Sequence, residues 1–193
     1  MDANTLQDNS TWELMWAPYD QQTYQSVLDY IREDDNVLEI GAGDLRLAFQ
    51  IAKIAHHVTA IEIHQELLEQ ALSGQSGTLP ANLTILAGDA CLIPFPKDIS
   101  VGVLLMRHCT HFATYASKLN SIGCKRLITN ARWRLSVEIV DLQAKRQPFN
   151  NIKMGWYACQ CGAVGFIPGP VEEYSEEVDR NVIEVFSCPQ CSS

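Results

Sequence analysis

Three sets of residues in this 193-residue chain have types and spacings that can do chemistry. The first is Glu39-x-Gly41-x-Gly43, followed by a second acid, Glu62, nineteen residues beyond Gly43, and a third in Gly88-Asp89-Ala90. Glycines let a tight turn take dihedrals other residues resist, and the missing Cβ lets a ligand lie against bare N–H groups. A carboxylate at this interval from such a turn can accept hydrogen bonds from ribose hydroxyls, and one at the end of a later strand can accept from an adenine amino group. The second set is Cys159 and Cys161, one residue apart, with Cys188 and Cys191, two apart. Two thiolate pairs, each on a tight turn, suit tetrahedral zinc. Four thiolates leave no open position, so such a site would be structural. Disulfides or free thiols are the alternative. The third set is Arg107-His108-Cys109-Thr110-His111, in which His108 and His111 can supply a general base near neutral pH or, more plainly, start a helix.

The elements that must position these groups follow from the apolar pattern. Val37, Leu38 and Ile40 form a short run typical of a strand buried on both faces, and it stops at Gly41. Leu47, Ala48, Ile51, Ala52 and Ala55 recur at helical spacing, and Val58, Ala60 and Ile61 make a second strand that ends on Glu62. A helix with Leu67, Leu68, Ala71 and Leu72 on one side leads through a Gly-, Ser- and Pro-rich loop to a third strand at Leu83, Ile85 and Leu86. Residues 100–106 read as a fourth strand, 126–129 as a fifth and 137–142 as a sixth. Between the fourth and fifth, Phe112, Tyr115, Ala116, Leu119 and Ile122 trace a helix face closed by Gly123. Upstream, Asp20 is placed to cap a first helix, and Trp12, Trp16 and Tyr19 are too many aromatics for a solvated tail, so this stretch packs on the body, with the sheet edge one place for it. Near the end, 164–167 and 182–186 read as short strands joined by an acidic loop from Glu172 to Asp179.

A dinucleotide turn would carry a third glycine where Arg46 stands, so the glycine pattern argues against nicotinamide binding. The segment resembles motif I of the class I S-adenosylmethionine-dependent methyltransferases, in which an acid stands two residues before a GxG. Its wording, VLEIGAGD with VTAIEI, is most similar to the ribosomal RNA adenine dimethyltransferases. The resemblance implies S-adenosylmethionine as cofactor, with Glu39 on its methionine end, Gly41 and Gly43 at close approach, Glu62 on the ribose, and Asp89 and Ala90 at the adenine. It also implies Tyr19 as a covering contact. Two departures stand out. Leu45 occupies a position where the family often has glycine, and the loop after the fourth strand lacks the Asn/Asp-Pro-Pro-Tyr tetrapeptide that holds a target amine. The C-terminal cysteine segment resembles a zinc ribbon.

Net charge is −9, yet it is unevenly spread: −11 over residues 1–100, +7 over 101–154 and −5 over 155–193. The middle stretch, with Arg107, Lys125, Arg126, Arg132, Arg134, Lys145 and Arg146, is a candidate RNA surface; the rival is a set of cations paired with the acidic halves. No eighteen-residue apolar run and no secretory leader is read in the chain, which points to a cytoplasmic protein with no membrane partner.

The expectation is therefore an α/β protein with a mostly parallel, Rossmann-like class I methyltransferase sheet over residues 1–150 and a zinc-ribbon-like segment over 151–193. Its expected activity is S-adenosylmethionine-dependent methyl transfer, with RNA as the favoured acceptor. The rivals are a small-molecule or protein acceptor, or a non-catalytic protein that docks partners through the ribbon.

Overall fold

The computed structural model describes residues 19–74, 77–107, 109–132 and 137–192. Trp12, Trp16, His108 and Arg134, all invoked above, lie outside the described residues. Six strands form one sheet: β1 (Asn36–Ile40), β2 (His57–Glu62), β3 (Leu83–Ala87), β4 (Val101–Leu104), β5 (Arg126–Thr129) and β6 (Glu138–Asp141). Their order is β3-β2-β1-β4-β5-β6. The first five run parallel and β6 is antiparallel to β5. Reversal of strand order between β1 and β4 opens a crevice at the carboxyl ends of the strands, which is where open α/β sheets bind ligands.

The central strands are apolar on both faces because each face is covered. Helices α1 (Gln21–Leu28) and α2 (Arg46–Ile51) belong to one side, where Tyr24, Val27, Leu47 and Ile51 pack with Val37, Val103 and Ile128. Helix α4 (Phe112–Ser121) covers the other, its Phe112, Tyr115 and Leu119 packing with Leu38, Ile40, Leu104 and Leu127. Helix α3 (Gln65–Ser73) joins β2 to β3 and buries Leu68. Asp20 caps α1 as the sequence predicts, accepting the Thr23 N–H at 2.7 Å.

A second, three-stranded sheet has the order β8-β7-β9, built from β7 (Gly155–Cys159), β8 (Val164–Ile167) and β9 (Val182–Val185). The central strand β7 is absent from the sequence reading; it pairs antiparallel with β8 and parallel with β9. Its inner face, with Tyr157 and Cys159, packs on Ile152, Val185 and Cys188. The expected acidic loop contains a short helix, α5 (Glu176–Arg180), capped by Ser175. Gln147 already bridges Val185 and Phe149 packs edge-on against Tyr157 at 4.9 Å, so the small sheet's contacts begin before residue 151. Among the described residues no helix is long and apolar enough to cross a membrane.

Candidate active site

The carboxyl edge of the large sheet is shaped by the turn after β1. Gly41 and Gly43 hold φ values of +74° and +55°, which side chains rarely tolerate. A Cβ on Gly41 would lie 3.1 Å from the Met106 methyl group. The Gly41 and Ala42 N–H groups both donate to the Ile61 carbonyl at 2.9 and 3.0 Å, tying the turn to β2. Glu62 completes the tie. One carboxylate oxygen accepts the Gly43 N–H at 2.7 Å and the other the His64 N–H at 2.9 Å. The nineteen-residue spacing in the sequence thus becomes a direct contact, and each Glu62 oxygen keeps a lone pair.

Leu45 also adopts the left-handed conformation, at φ 66°. The chain therefore keeps the backbone shape that glycine would give, at a cost of about 1–2 kcal/mol. Its side chain is fully buried in the core cluster of Tyr24, Leu47 and Val103, so the substitution for glycine fills the core and leaves the turn's shape intact.

Glu39 is the exceptional group here. It is 5% exposed, and its Oε2 has no hydrogen-bond partner. Burial first, then the carboxylates of Asp44 and Glu62, push its pKa up to about 8. A buried acid in that condition is stabilised by a cationic ligand group. Asp89, half-buried after β3, accepts the Cys91 N–H through Oδ1 at 2.7 Å. The turn from Ala90 to Ile93 is clamped from α4. Lys118 donates to the carbonyls of Ala90, Cys91 and Ile93 at 2.5, 2.9 and 2.7 Å, while its ammonium sits 4.3 Å from the Phe95 ring centroid. Tyr19 lies at the same edge. Its hydroxyl accepts the Arg107 N–H at 3.2 Å, and the Arg107 guanidinium stands over its ring at 5.0 Å.

Around the loop after β4 the predictions fare unevenly. His111 is exposed at the start of α4, its ring edge-on to Tyr115 at 6.2 Å. Cys109 is half-buried, and burial raises its thiol pKa, as expected of an inert cysteine. The basic stretch does not form one surface. Arg126 starts β5, at the opposite end of the sheet from the crevice, and pairs with buried Asp35 at 2.5 Å. Arg132 is buried, with its guanidinium on both Glu138 and Glu184. Arg146 approaches Glu184 at 4.0 Å. Arg107, Lys125 and Lys145 remain exposed, and of these Arg107 stands at the crevice.

The second predicted site assembles fully. The thiols of Cys159, Cys161, Cys188 and Cys191 all lie within 4.8 Å of one another, with the Cys159–Cys191 and Cys161–Cys188 pairs at 3.4 and 3.7 Å. Ideal tetrahedral zinc–thiolate geometry separates its sulfurs by about 3.8 Å, whereas a disulfide brings them to about 2.0 Å. The Cys159–Gly162 turn closes through a 2.9 Å hydrogen bond with Gly162 at φ 98°, which accommodates the one-residue spacing. The donor set and its spacing fit zinc.

Three contributors escape the sequence reading: Met106 against the glycine turn, Lys118 beneath the 90–93 turn, and Asn130. Asn130 follows β5 directly and is 3% exposed, with neither side-chain amide atom partnered. A polar residue just past the carboxyl end of a buried strand is the one sequence signal that would have found it.

Residues 19–129 match the family described as ribosomal RNA adenine dimethylase. A probable ribosomal RNA small subunit methyltransferase A of Methanothermobacter thermautotrophicus is 39% identical over 80 residues, covering 40% of this chain and 28% of that protein. The chain thus spans less than a third of this relative's length. Among solved structures, the 23S rRNA methyltransferase ErmE is 21% identical at a TM-score of 0.50, over 57% of this chain and 46% of that one. The YcgJ protein of Bacillus subtilis is 18% identical at a TM-score of 0.50, over 59% and 52%. These structures share the fold, a Rossmann-like methyltransferase sheet. With the family match spanning the glycine turn, Glu39, Glu62 and Asp89, the chain belongs to the ribosomal RNA adenine dimethylase family.

Proposed function

We propose that the protein is an S-adenosylmethionine-dependent methyltransferase whose acceptor is an adenine amino group in RNA. The observation that carries the cofactor assignment is the buried, unpartnered Glu39 oxygen beside a turn in which Gly41 and Gly43 carry no Cβ. When bound, the cofactor supplies a sulfonium methyl for in-line displacement, which asks mainly for alignment. Glu39 meets the ammonium of the methionine end, where ion pairing offsets the burial of its charge. Gly41 and Gly43 give close approach, and Glu62, already held by two N–H groups, offers its remaining lone pairs to the ribose diol. The free Oδ2 side of Asp89 accepts from the adenine amino group, beside Ala90 in the turn that Lys118 clamps. Tyr19 covers the edge. His108 and His111 are assigned to the acceptor loop, where His111 is exposed to take the proton the acceptor releases. The four cysteines hold structural zinc, with no part in the chemistry.

The acceptor rests on family membership and on Arg107 at the crevice. A small-molecule or protein acceptor is favoured by one observation, the pairing of Arg126 and Arg132 away from solvent. The deciding experiment incubates zinc-replete protein with methyl-labelled cofactor and purified ribosomal RNA, then digests the RNA to nucleosides. Label in N6-methylated adenosine, lowered at least about tenfold by Asp89→Ala, is expected. Labelled cofactor turnover with a small molecule and none with RNA would move the acceptor to the second reading.

A further inference from the structure

Asn130 and Glu39 are the two residues at the carboxyl edge of the sheet with buried, unpartnered side-chain atoms among the described residues. Strand register relates them. Glu39 is level with Val103, and Val103 with Ile128, so Asn130 lies two strands across and two residues further toward the carboxyl edge. At strand spacings of about 4.8 Å and a rise of about 3.3 Å per residue, their Cα atoms are roughly 12 Å apart. Alternation puts them on one face. Ile128 packs in the cluster with Val37 and Val103, whereas Leu127 and Ala131 belong to the opposite cluster, so Asn130 shares the face of Ile128 and Glu39. Tyr19 and Leu105 pack against that same cluster.

Neighbouring polar groups do not account for the Asn130 amide. The Thr129 hydroxyl donates to the Leu104 carbonyl at 2.7 Å and accepts the Ala131 N–H at 3.0 Å, so the strand end is satisfied without it. A buried amide with no partner is destabilising wherever it is left, and such groups persist where a ligand completes them. The loop after β4, beside it in the sheet, has no side-chain amide of its own: Leu105, Met106 and Arg107 stand there.

Resting on the methyltransferase reading above, we propose that Asn130 holds the edge of the acceptor adenine, taking over from the adjacent strand the task that an Asn-Pro-Pro-Tyr tetrapeptide performs after β4. An asparagine side chain offers one acceptor and one donor in a plane, complementary to the amino group and neighbouring ring nitrogen of adenine. The amide carbonyl accepts from the N6 amino group, which leaves that nitrogen oriented, and the amide NH₂ donates to the ring nitrogen. Asn130 is a specificity and positioning contact to the base; it makes no contact with the cofactor.

The test is a fluorescein-labelled oligoadenylate titrated by anisotropy into zinc-replete protein saturated with S-adenosylhomocysteine. It is run for wild type, Asn130→Ala and Asn130→Leu, with S-adenosylhomocysteine affinity measured separately by calorimetry. Loss of oligoadenylate affinity by about tenfold or more in both variants, at unchanged S-adenosylhomocysteine affinity, is expected. The nearly isosteric leucine should keep or raise the thermal midpoint, which separates loss of the contact from loss of the fold. Equal oligoadenylate binding by wild type and variants would overturn the assignment. So would a parallel fall in S-adenosylhomocysteine affinity, which would give the amide to the cofactor. Wild-type protein that binds S-adenosylhomocysteine but no oligoadenylate would remove the adenine acceptor itself, and this assignment with it.

Discussion

Glu39 at the end of β1 and Arg132 beyond β5 are both buried ionisable groups, and the protein treats them in opposite ways. Glu39 is left with a carboxylate oxygen that no donor reaches. Arg132 engages Glu138 and Glu184 with four hydrogen bonds of 2.7–3.2 Å. The first belongs to a region matched by the family, the second to the join between the large sheet and the cysteine lobe, beyond the matched residues. A buried acid with an unpartnered oxygen at a glycine turn is the feature that the proposed ligand would complete. A fully met charge across two sheets fixes one lobe on the other. The two regions thus differ in what their side chains offer: the crevice an unpartnered acid, the lobe four converging thiols.

Removing metal should have the largest effect. With four converging thiols and a small core around Tyr157 and Val185, the zinc proposed above would supply the lobe's folding energy, on the order of 10 kcal/mol for zinc sites of this kind. Chelation should therefore expose β7 to β9 to limited proteolysis while leaving the 19–129 region protected. Loss of both together would show that the two regions fold as one.

Next comes the join. Arg132→Met leaves Glu138 without its cation and Glu184 with Arg146 alone, at 4.0 Å, and breaking such a buried network costs about 3–5 kcal/mol. Urea unfolding should show the loss, with S-adenosylhomocysteine affinity retained. If cofactor binding fell equally, the separation drawn between the two regions would be wrong.

The smallest effect is expected from Lys125→Ala. Lys125 is exposed beside Arg126 at the amino end of β5, so stability should change by less than about 0.5 kcal/mol and RNA binding should be unaltered. A marked loss of RNA affinity would restore the middle stretch as a single nucleic-acid face.

What was legible in the sequence is what short-range pattern decides. The buried run of β1, the two glycines and the interval to Glu62 specify a strand, a turn and a second strand, and their contacts follow within the same unit. The cysteine pairs were equally plain because metal-binding spacing is local. Long-range partners were not legible. Arg126 meets Asp35 across 91 positions and Arg132 meets Glu184 across 52, so neither cation could be distinguished from a solvated one by its neighbours. Strand β7 escaped because its Gly-Trp-Tyr-Ala-Cys run is buried by Val185 and Cys188 and paired with β9, all distant in sequence. Leu45 reads as a departure in the sequence, yet its backbone is that of the glycine it replaces and only its side chain is diverted, into the core. Asn130 carries no motif at all; its meaning lies in what fails to reach it.

The central claim is that Glu39 awaits a cationic ligand group, and its pH dependence is specific. In the ligand-free protein its pKa is raised to about 8, so stability is fully present below the unfolded value of 4.5 and is lost as pH rises through about 8. Binding an ammonium requires the carboxylate, so below about pH 8 a proton must leave first. Calorimetric titration with S-adenosylhomocysteine should therefore show affinity rising by up to about tenfold per unit between about pH 6 and pH 8. Glu39→Gln should bind more weakly and lose that slope. Binding that is independent of pH and indifferent to Glu39→Gln would contradict the account, and so would a wild-type protein that does not bind.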